Sequence, residues 1–268
     1  KMTNFVSTAL KYSPESLEAF DDNTLKLALR FFPDIAKKIG TGNFFSVIFS
    51  FFGEGLAIAR KLRLPKFVVL VELTGDDEEK INDRVKGLRD ELKPLGIYTK
   101  ATKSGMDTEK YWVIRRESFN LLRHKVKDKR AAPFIDDIIV DPSHLPEFLP
   151  KLYNILEEHN ITPTLAGHAG SGNFHIIPLM DLSREEERRK IPEVAEKVYD
   201  LVLEYGGSIT AEHNDGLIRS PYIEKMYGKE VYGLFEKTKE IFDPQNIFNP
   251  GKKVGADLEY AMRHIKHV

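Results

Sequence analysis

The stretch "TPTLAGHAGSGNFHIIPLM", residues 162–180, sets two apolar, strand-forming runs on either side of Gly170-Ser171-Gly172. A glycine-rich centre between two such runs marks a tight hairpin, so the fold contains at least one antiparallel strand pair. The same stretch holds His168 and His175, two of the chain's eight histidines. With the turn centred near Ser171-Gly172, the two histidines are expected at opposing positions of the paired strands. Such pairs lie within about 5.5 Å, close enough to share a metal ion. The alternative is a pair of ordinary, hydrogen-bonded core histidines.

Working outward, "KFVVLVELTG" (66–75) and "DDIIVDP" (136–142) read as buried strands, and "IYTKAT" (97–102) as a short one. Between them lie helical patterns: 76–96, with Ile81, Val85, Leu88 and Leu92 at helical spacing; 108–125; and the helix opened by Pro142-Ser143. A charged helix over 183–205 follows the hairpin, and two more helices run toward "IFDPQNIFNPGKKV". Residues 1–65 read as an apolar helical segment, with Asp21 or Asp22 capping a helix through Leu25, Leu27 and Leu29. The expected architecture is α+β and ferredoxin-like: a mostly antiparallel sheet with helices on one face and a C-terminal helical segment. The expected organisation is 1–65, a main domain over 66–254, and a tail helix over 255–268.

The 268 residues are 41% hydrophobic and 30% charged, and 40 basic residues balance 41 acidic ones. This charge balance gives no general attraction to nucleic acid. There is no cysteine, which excludes disulfides, thiolate nucleophiles and cysteine-held metals. The longest apolar run, "FFSVIFSFFGEGLAIA" (44–59), is shorter than the roughly 20 residues needed to span a bilayer and is read as a kinked core helix, with a membrane- or partner-touching flap as the rival. Nothing near the start reads as a signal peptide, so the expected location is cytoplasmic, with peripheral attachment to the inner membrane face as a variant. The chain opens on Lys1 and is expected to be a piece of a longer protein.

The second chemically suggestive stretch is "GGSITAEHNDGLIR" (206–219), a glycine-rich loop carrying Glu212 beside His213. Glu212 is able to complete a site of two histidines and one carboxylate, which leaves open coordination positions and suits zinc, manganese or iron(II). His213, on the opposite side of an extended backbone, is then free to act as a base. The alternative is a Glu-His pair that merely hydrogen-bonds its own loop. In "YWVIRRESF" (111–119), one of two adjacent arginines is a candidate fork for a substrate carboxylate.

Together these segments resemble the C-terminal domain of the FAD-linked 2-hydroxyacid oxidoreductases, the glycolate oxidase and D-lactate dehydrogenase group of the vanillyl-alcohol-oxidase superfamily. "GHAGSGNFH" (167–175) is similar to that family's Gly-His-x-Gly-Asp-Gly-Asn-x-His, "GGSITAEHNDGLIR" to its Gly-Gly…Glu-His-Gly-x-Gly, and "FDPQNIFNPGK" (242–252) to its Asp-Pro…Asn-Pro-Gly-Lys. "YWVIRRES" and "FIDDIIVDPSHLPEFL" follow in the family's order. The resemblance implies a domain that caps a separate N-terminal FAD-binding domain. It implies His168, His175 and Glu212 as ligands of a divalent metal, His213 as the base, Arg115 as the holder of the substrate carboxylate, and Asn173 and Asn249 as contacts to substrate and flavin. The implied reaction is oxidation of a D-lactate- or glycolate-like 2-hydroxy acid by hydride transfer to FAD, with an iron–sulfur or quinone partner as electron acceptor.

The pattern departs from the family in three places. Ser171 stands where the family carries aspartate, which removes a carboxylate behind the histidines. Asn214-Asp215 replaces the Gly-x after the Glu-His pair, and Phe119 stands where some members place a polar contact. The glycine-rich pyrophosphate loop that the flavin module requires is absent; "GTGNFF" (40–45) follows no strand and lacks the third glycine. Two other readings stay open on these residues alone: a self-contained metal-dependent hydrolase, and a non-catalytic docking domain.

Overall fold

The computed structural model describes residues 2–38, 64–102, 105–125 and 129–266. The apolar run at 44–59 and the "GTGNFF" stretch lie outside them, as does the side chain of Phe119. In chain order the main elements are α1 (Met2–Leu10), β1 (Ser16–Asp21), α2 (Asp22–Arg30), α3 (Phe32–Lys38), β2 (Phe67–Glu72), α4 (Glu78–Leu92) and α5 (Gly105–Lys125). They continue as β3 (Arg130–Ala131), β4 (Ile138–Ile139), α6 (Leu145–Glu158), β5 (Thr162–His168), β6 (Asn173–Met180), α7 (Glu185–Glu204), α8 (Gly216–Arg219), α9 (Ile223–Phe242) and α10 (Leu258–Arg263).

The strands form one open sheet in the order β2-β1-β5-β6-β3, with β4 also paired to β6. Every pairing is antiparallel. The open antiparallel sheet agrees with the mostly antiparallel part of that expectation, but the ferredoxin-like layout as a whole is corrected, because the helices do not keep to one face. Nor is the sheet the bulk of the molecule: helix outweighs strand about four to one, and β3 and β4 are two residues each. Residues 97–102, expected as a strand, form none.

Residues 16–21, read in sequence as part of a helical segment, are a strand at the heart of the sheet, between β2 and β5. The expected boundary at 65/66 therefore falls within a single sheet. Alternation explains why the segment is extended: Leu17 and Ala19 enter one core while Phe20 enters another on the opposite face. The helix that follows is capped as expected, with Asp21 accepting from the Thr24 amide at 2.8 Å.

Helices cover both faces of the sheet, not one. On the first face α1, α4, α6 and α7 pack on Leu17, Ala19, Leu165, Phe174 and Ile176. Fully burying each such large side chain contributes roughly 1.5–3 kcal/mol. On the second face α2, α3 and α5 pack through Ala28, Ile35, Val113 and Ile114 on Phe20, with Ala166 partly covered beside them. The second face also carries the even-numbered residues of β1 and β5 and the odd-numbered residues of β6, which places Glu18, His168, Asn173 and His175 on one side of the sheet. Among the described residues, no helix is long and apolar enough to cross a membrane.

Candidate active site

The β5–β6 hairpin closes through Ala169–Gly172, where the His168 carbonyl accepts from the amides of Ser171 (3.1 Å) and Gly172 (3.0 Å). Gly172 has φ of +79°, and a Cβ there would stand 1.8 Å from the Val140 carbonyl oxygen. Only glycine suits that conformation and that contact. The resulting register pairs His168 with Asn173 and Ala166 with His175. The histidines are therefore diagonal neighbours, not the directly opposed pair expected from a turn centred on Ser171-Gly172. An offset of two residues keeps both on the same face, and their rings meet edge to face at 5.5 Å.

The Glu212-His213 loop is delivered to this face by a buried carboxylate. Asp137, wholly buried and with φ of +73°, accepts from the amides of Ala211 (2.9 Å), Glu212 (3.1 Å) and His213 (2.9 Å), and from the Thr210 hydroxyl (3.2 Å). Burial pushes this carboxyl upward, but the backbone donors outweigh it and hold the group below the usual carboxylate range. The Asn173 amide donates to Asp137 (3.2 Å) and to the Ile138 carbonyl (3.1 Å). Buried Arg219 donates to the Asp136 carbonyl (2.5 Å) and to the Asn214 carbonyl. Paired backbone bonds between Ile139 and Ser208 anchor the start of the loop.

The outcome is a convergence on one oxygen. Glu212 Oε1 lies 3.3 Å from His168 Nε2, 3.2 Å from His175 Nε2 and 3.4 Å from His213 Nε2. Each ring is backed by a carboxylate at its other nitrogen. His168 Nδ1 is 2.5 Å from Glu18, His175 Nδ1 is 3.1 Å from Asp136 Oδ1, and His213 Nδ1 is 3.5 Å from Asp136 Oδ2. His175 and His213 stack 4.8 Å apart with 11° between their planes. The four sequence candidates His168, His175, Glu212 and His213 thus lie together. The carboxylate that Ser171 was expected to leave missing is replaced twice over, by Glu18 and Asp136.

Arg115 reaches the same cluster from α5. Its Nε (3.1 Å) and Nη2 (3.0 Å) engage Glu18 Oε2. Asn173 is buried behind the histidines, with no partner for its Oδ1 among the described residues. Asn249 is not brought in: it is exposed, with φ of +47°, in the turn after α9. That turn is organised by Asp243, which accepts from the amides of Ile247 (2.9 Å) and Phe248 (2.8 Å). It is tied to the active-site loop one step removed, where Lys253 pairs with Asp215 and its amide donates to Ser220 Oγ at 2.8 Å.

Sequence reasoning missed Glu18, Asp136, Asp137 and Arg219. The signals were present: an acid inside the alternating run "SLEAFD", and two adjacent acids opening the apolar "IIV".

The donor set fits a divalent cation. With Nδ1–H donated to a carboxylate, an imidazole turns its Nε2 lone pair toward the Glu212 oxygen, an arrangement that a cation between them satisfies. Four carboxylates, Glu18, Asp136, Asp137 and Glu212, gather here against two guanidinium groups, Arg115 and Arg219. Asp137, although within 4.8 Å of the possible ligand atoms of His175, Glu212 and His213, is already occupied by backbone donors and serves as their anchor.

The family model described as "FAD linked oxidases, C-terminal domain" matches residues 1–253. D-2-hydroxyglutarate dehydrogenase of Escherichia coli K12 is 29% identical over 190 residues, which is 68% of this chain and 19% of that protein. D-lactate dehydrogenase of Archaeoglobus fulgidus is 29% identical over 163 residues, 61% of this chain and 34% of the relative. Glycolate oxidase subunit GlcD of Bacillus subtilis is 30% identical over 128 residues, 48% of this chain and 27% of the relative. The matched part is thus a fifth to a third of these relatives' lengths. Among solved structures, 4-ethylphenol oxidase from Gulosibacter chungangensis superposes with a TM-score of 0.54 at 12% identity, over 89% of this chain and 47% of that one, a likeness of fold.

Proposed function

The chain belongs to the C-terminal domain family of the FAD-linked oxidases, and on that premise we propose that it forms the substrate side of the active site in a flavoprotein that oxidises a small 2-hydroxy acid. The observation that carries the reading is the convergence of three imidazole Nε2 atoms on one Glu212 oxygen, each ring held from behind by a carboxylate. The names of the relatives, dehydrogenases and oxidases of 2-hydroxyglutarate, lactate and glycolate, supply the substrate class.

His168, His175 and Glu212 would hold a divalent cation, which supplies Lewis acidity toward the substrate's hydroxyl. FAD, held by a separate domain, supplies the hydride acceptor. His213 takes the hydroxyl proton at Nε2, with Asp136 beside Nδ1 to orient the ring and stabilise the imidazolium that results. Arg115 orients the substrate carboxylate; Nη1 is its nitrogen without a partner among the described residues. Asn173 fixes Asp137 and presents Oδ1 as the remaining acceptor. Asn249, in the turn after α9, is assigned to the flavin side.

The proposed partner is the FAD-binding domain. The end of α9 and its following turn expose Ile241, Phe242, Ile247 and Phe248, with Phe242 80% accessible. An apolar run of this kind is expected to be covered in the working protein.

The deciding experiment is His213→Ala in the flavin-loaded, full-length protein, assayed with D-2-hydroxyglutarate, D-lactate and glycolate. Loss of a positioned base costs about 10²–10⁴-fold in turnover, and bound metal should be unchanged. Full turnover in the variant would reject the reading.

A further inference from the structure

We infer that Glu18 is a positioning residue that fixes which nitrogen of His168 faces the cation and is itself locked in place by Arg115. The inference rests on the metal reading above. Glu18 lies on β1 directly opposite His168 in the β1–β5 register, on the same face of the sheet. It is 6% exposed, in a strand whose Leu17, Ala19 and Phe20 enter apolar cores, so nothing in the local packing asks for a charge there.

The two carboxylate oxygens are divided between two partners. Oε1 accepts from His168 Nδ1 at 2.5 Å, and Oε2 takes both Nε (3.1 Å) and Nη2 (3.0 Å) of Arg115. A guanidinium fork on one side fixes the carboxylate plane, which then sets the imidazole on the other side. A proton held on Nδ1 leaves the Nε2 lone pair directed at the Glu212 oxygen 3.3 Å away, the side on which a cation would be held. The chain of contacts Arg115–Glu18–His168 runs from the proposed substrate-carboxylate residue to a proposed metal ligand. It makes the two one rigid unit, built from α5, β1 and β5.

Burial explains why this unit is held so firmly. A carboxylate with little access to water has few alternatives to its protein partners, and removing either partner strands charge. Glu18→Gln keeps the size of the side chain but leaves one acceptor oxygen for two donors.

The test uses the full chain. In the Zn²⁺-loaded protein, long-range ¹H–¹⁵N spectra should show the proton of His168 on Nδ1 and a metal-bound Nε2; a proton on Nε2 would overturn the inference. Co²⁺ titration followed by visible absorption should show affinity about 10–100-fold weaker in Glu18→Gln, in line with the loss of a partner behind a metal ligand. Affinity within two-fold of the unsubstituted chain overturns it. Arg115→Met should alter Co²⁺ affinity when Glu18 is present and have no further effect in the Glu18→Gln background; equal effects in both would remove the locking role. If Glu18→Gln does not fold, the histidine spectrum of the unsubstituted protein decides alone. If the unsubstituted chain binds neither Zn²⁺ nor Co²⁺, the metal reading falls and this inference with it, whereas binding that is indifferent to Glu18 overturns this inference only.

Discussion

At the scale of single residues, the site depends most on a side chain that touches no substrate. Asp137 gathers three consecutive backbone amides and thereby determines where Glu212 and His213 point. Asparagine in its place offers one acceptor oxygen and turns an N–H₂ toward donors. A stranded donor costs up to about 1–3 kcal/mol when shut off from water, and less for these part-buried amides. Asp137→Asn is therefore expected to lower the melting temperature by several degrees and to reduce bound metal by elemental analysis. The pH dependence has a definite sign. The folded carboxyl titrates below its ordinary value of 3.8, so its contribution is complete above that value and is lost as pH falls through the lower folded one. Hydrogen exchange of the 211–213 amides, corrected for intrinsic rate, should accelerate below about pH 4 in the native chain and show no such step in Asp137→Asn.

At the scale of elements, the hairpin's loop decides the histidine geometry. Four residues in the loop, where a two-residue turn would pair different partners, shift the register so that His168 and His175 lie diagonally. Gly172 is the conformational key. Gly172→Ala would force a Cβ to 1.8 Å from the Val140 oxygen at φ of +79°, whereas Gly206→Ala, at φ of +64°, meets nothing within 4 Å. The Gly206 change should cost about 1–2 kcal/mol, the left-handed penalty alone. The Gly172 change should cost clearly more, because the hairpin must move off Val140. Urea midpoints of the two variants test the difference, and equal losses would show that the contact is relieved without disturbing the hairpin.

At the scale of the whole molecule, helices pack on both faces of the sheet, and the partly exposed histidine cluster sits on the second. One unfilled requirement is at the far end of α9. Ile241, Phe242, Ile247 and Phe248 are each more than 60% exposed. Phe242→Ser/Phe248→Ser should leave the chain's own stability within about 0.5 kcal/mol, as for surface changes generally. It should reduce hydrophobic-dye binding and self-association of the isolated chain, and weaken flavin retention in the full-length protein. Unchanged flavin retention would place the FAD-binding domain elsewhere on the surface.

The sequence was enough for the hairpin, most of the helices, the Asp21 cap and the short list of histidines and acids that the fold brings together. Those features are local: glycine conformation, helical spacing and the order of motifs are written in consecutive residues. It also carried the family, because motif order survives without coordinates. Tertiary structure alone decided that residues 16–21 are a central strand, that both faces are covered, and that Glu18, Asp136 and Asp137 stand behind the histidines. These depend on register between segments as distant as Glu18 and His168. A carboxylate's partner across that distance is selected by strand pairing, and no pattern along the chain encodes it. The same physics separates the two asparagines: Asn173 is drawn into the site by its strand, while Asn249 is left outside on a turn.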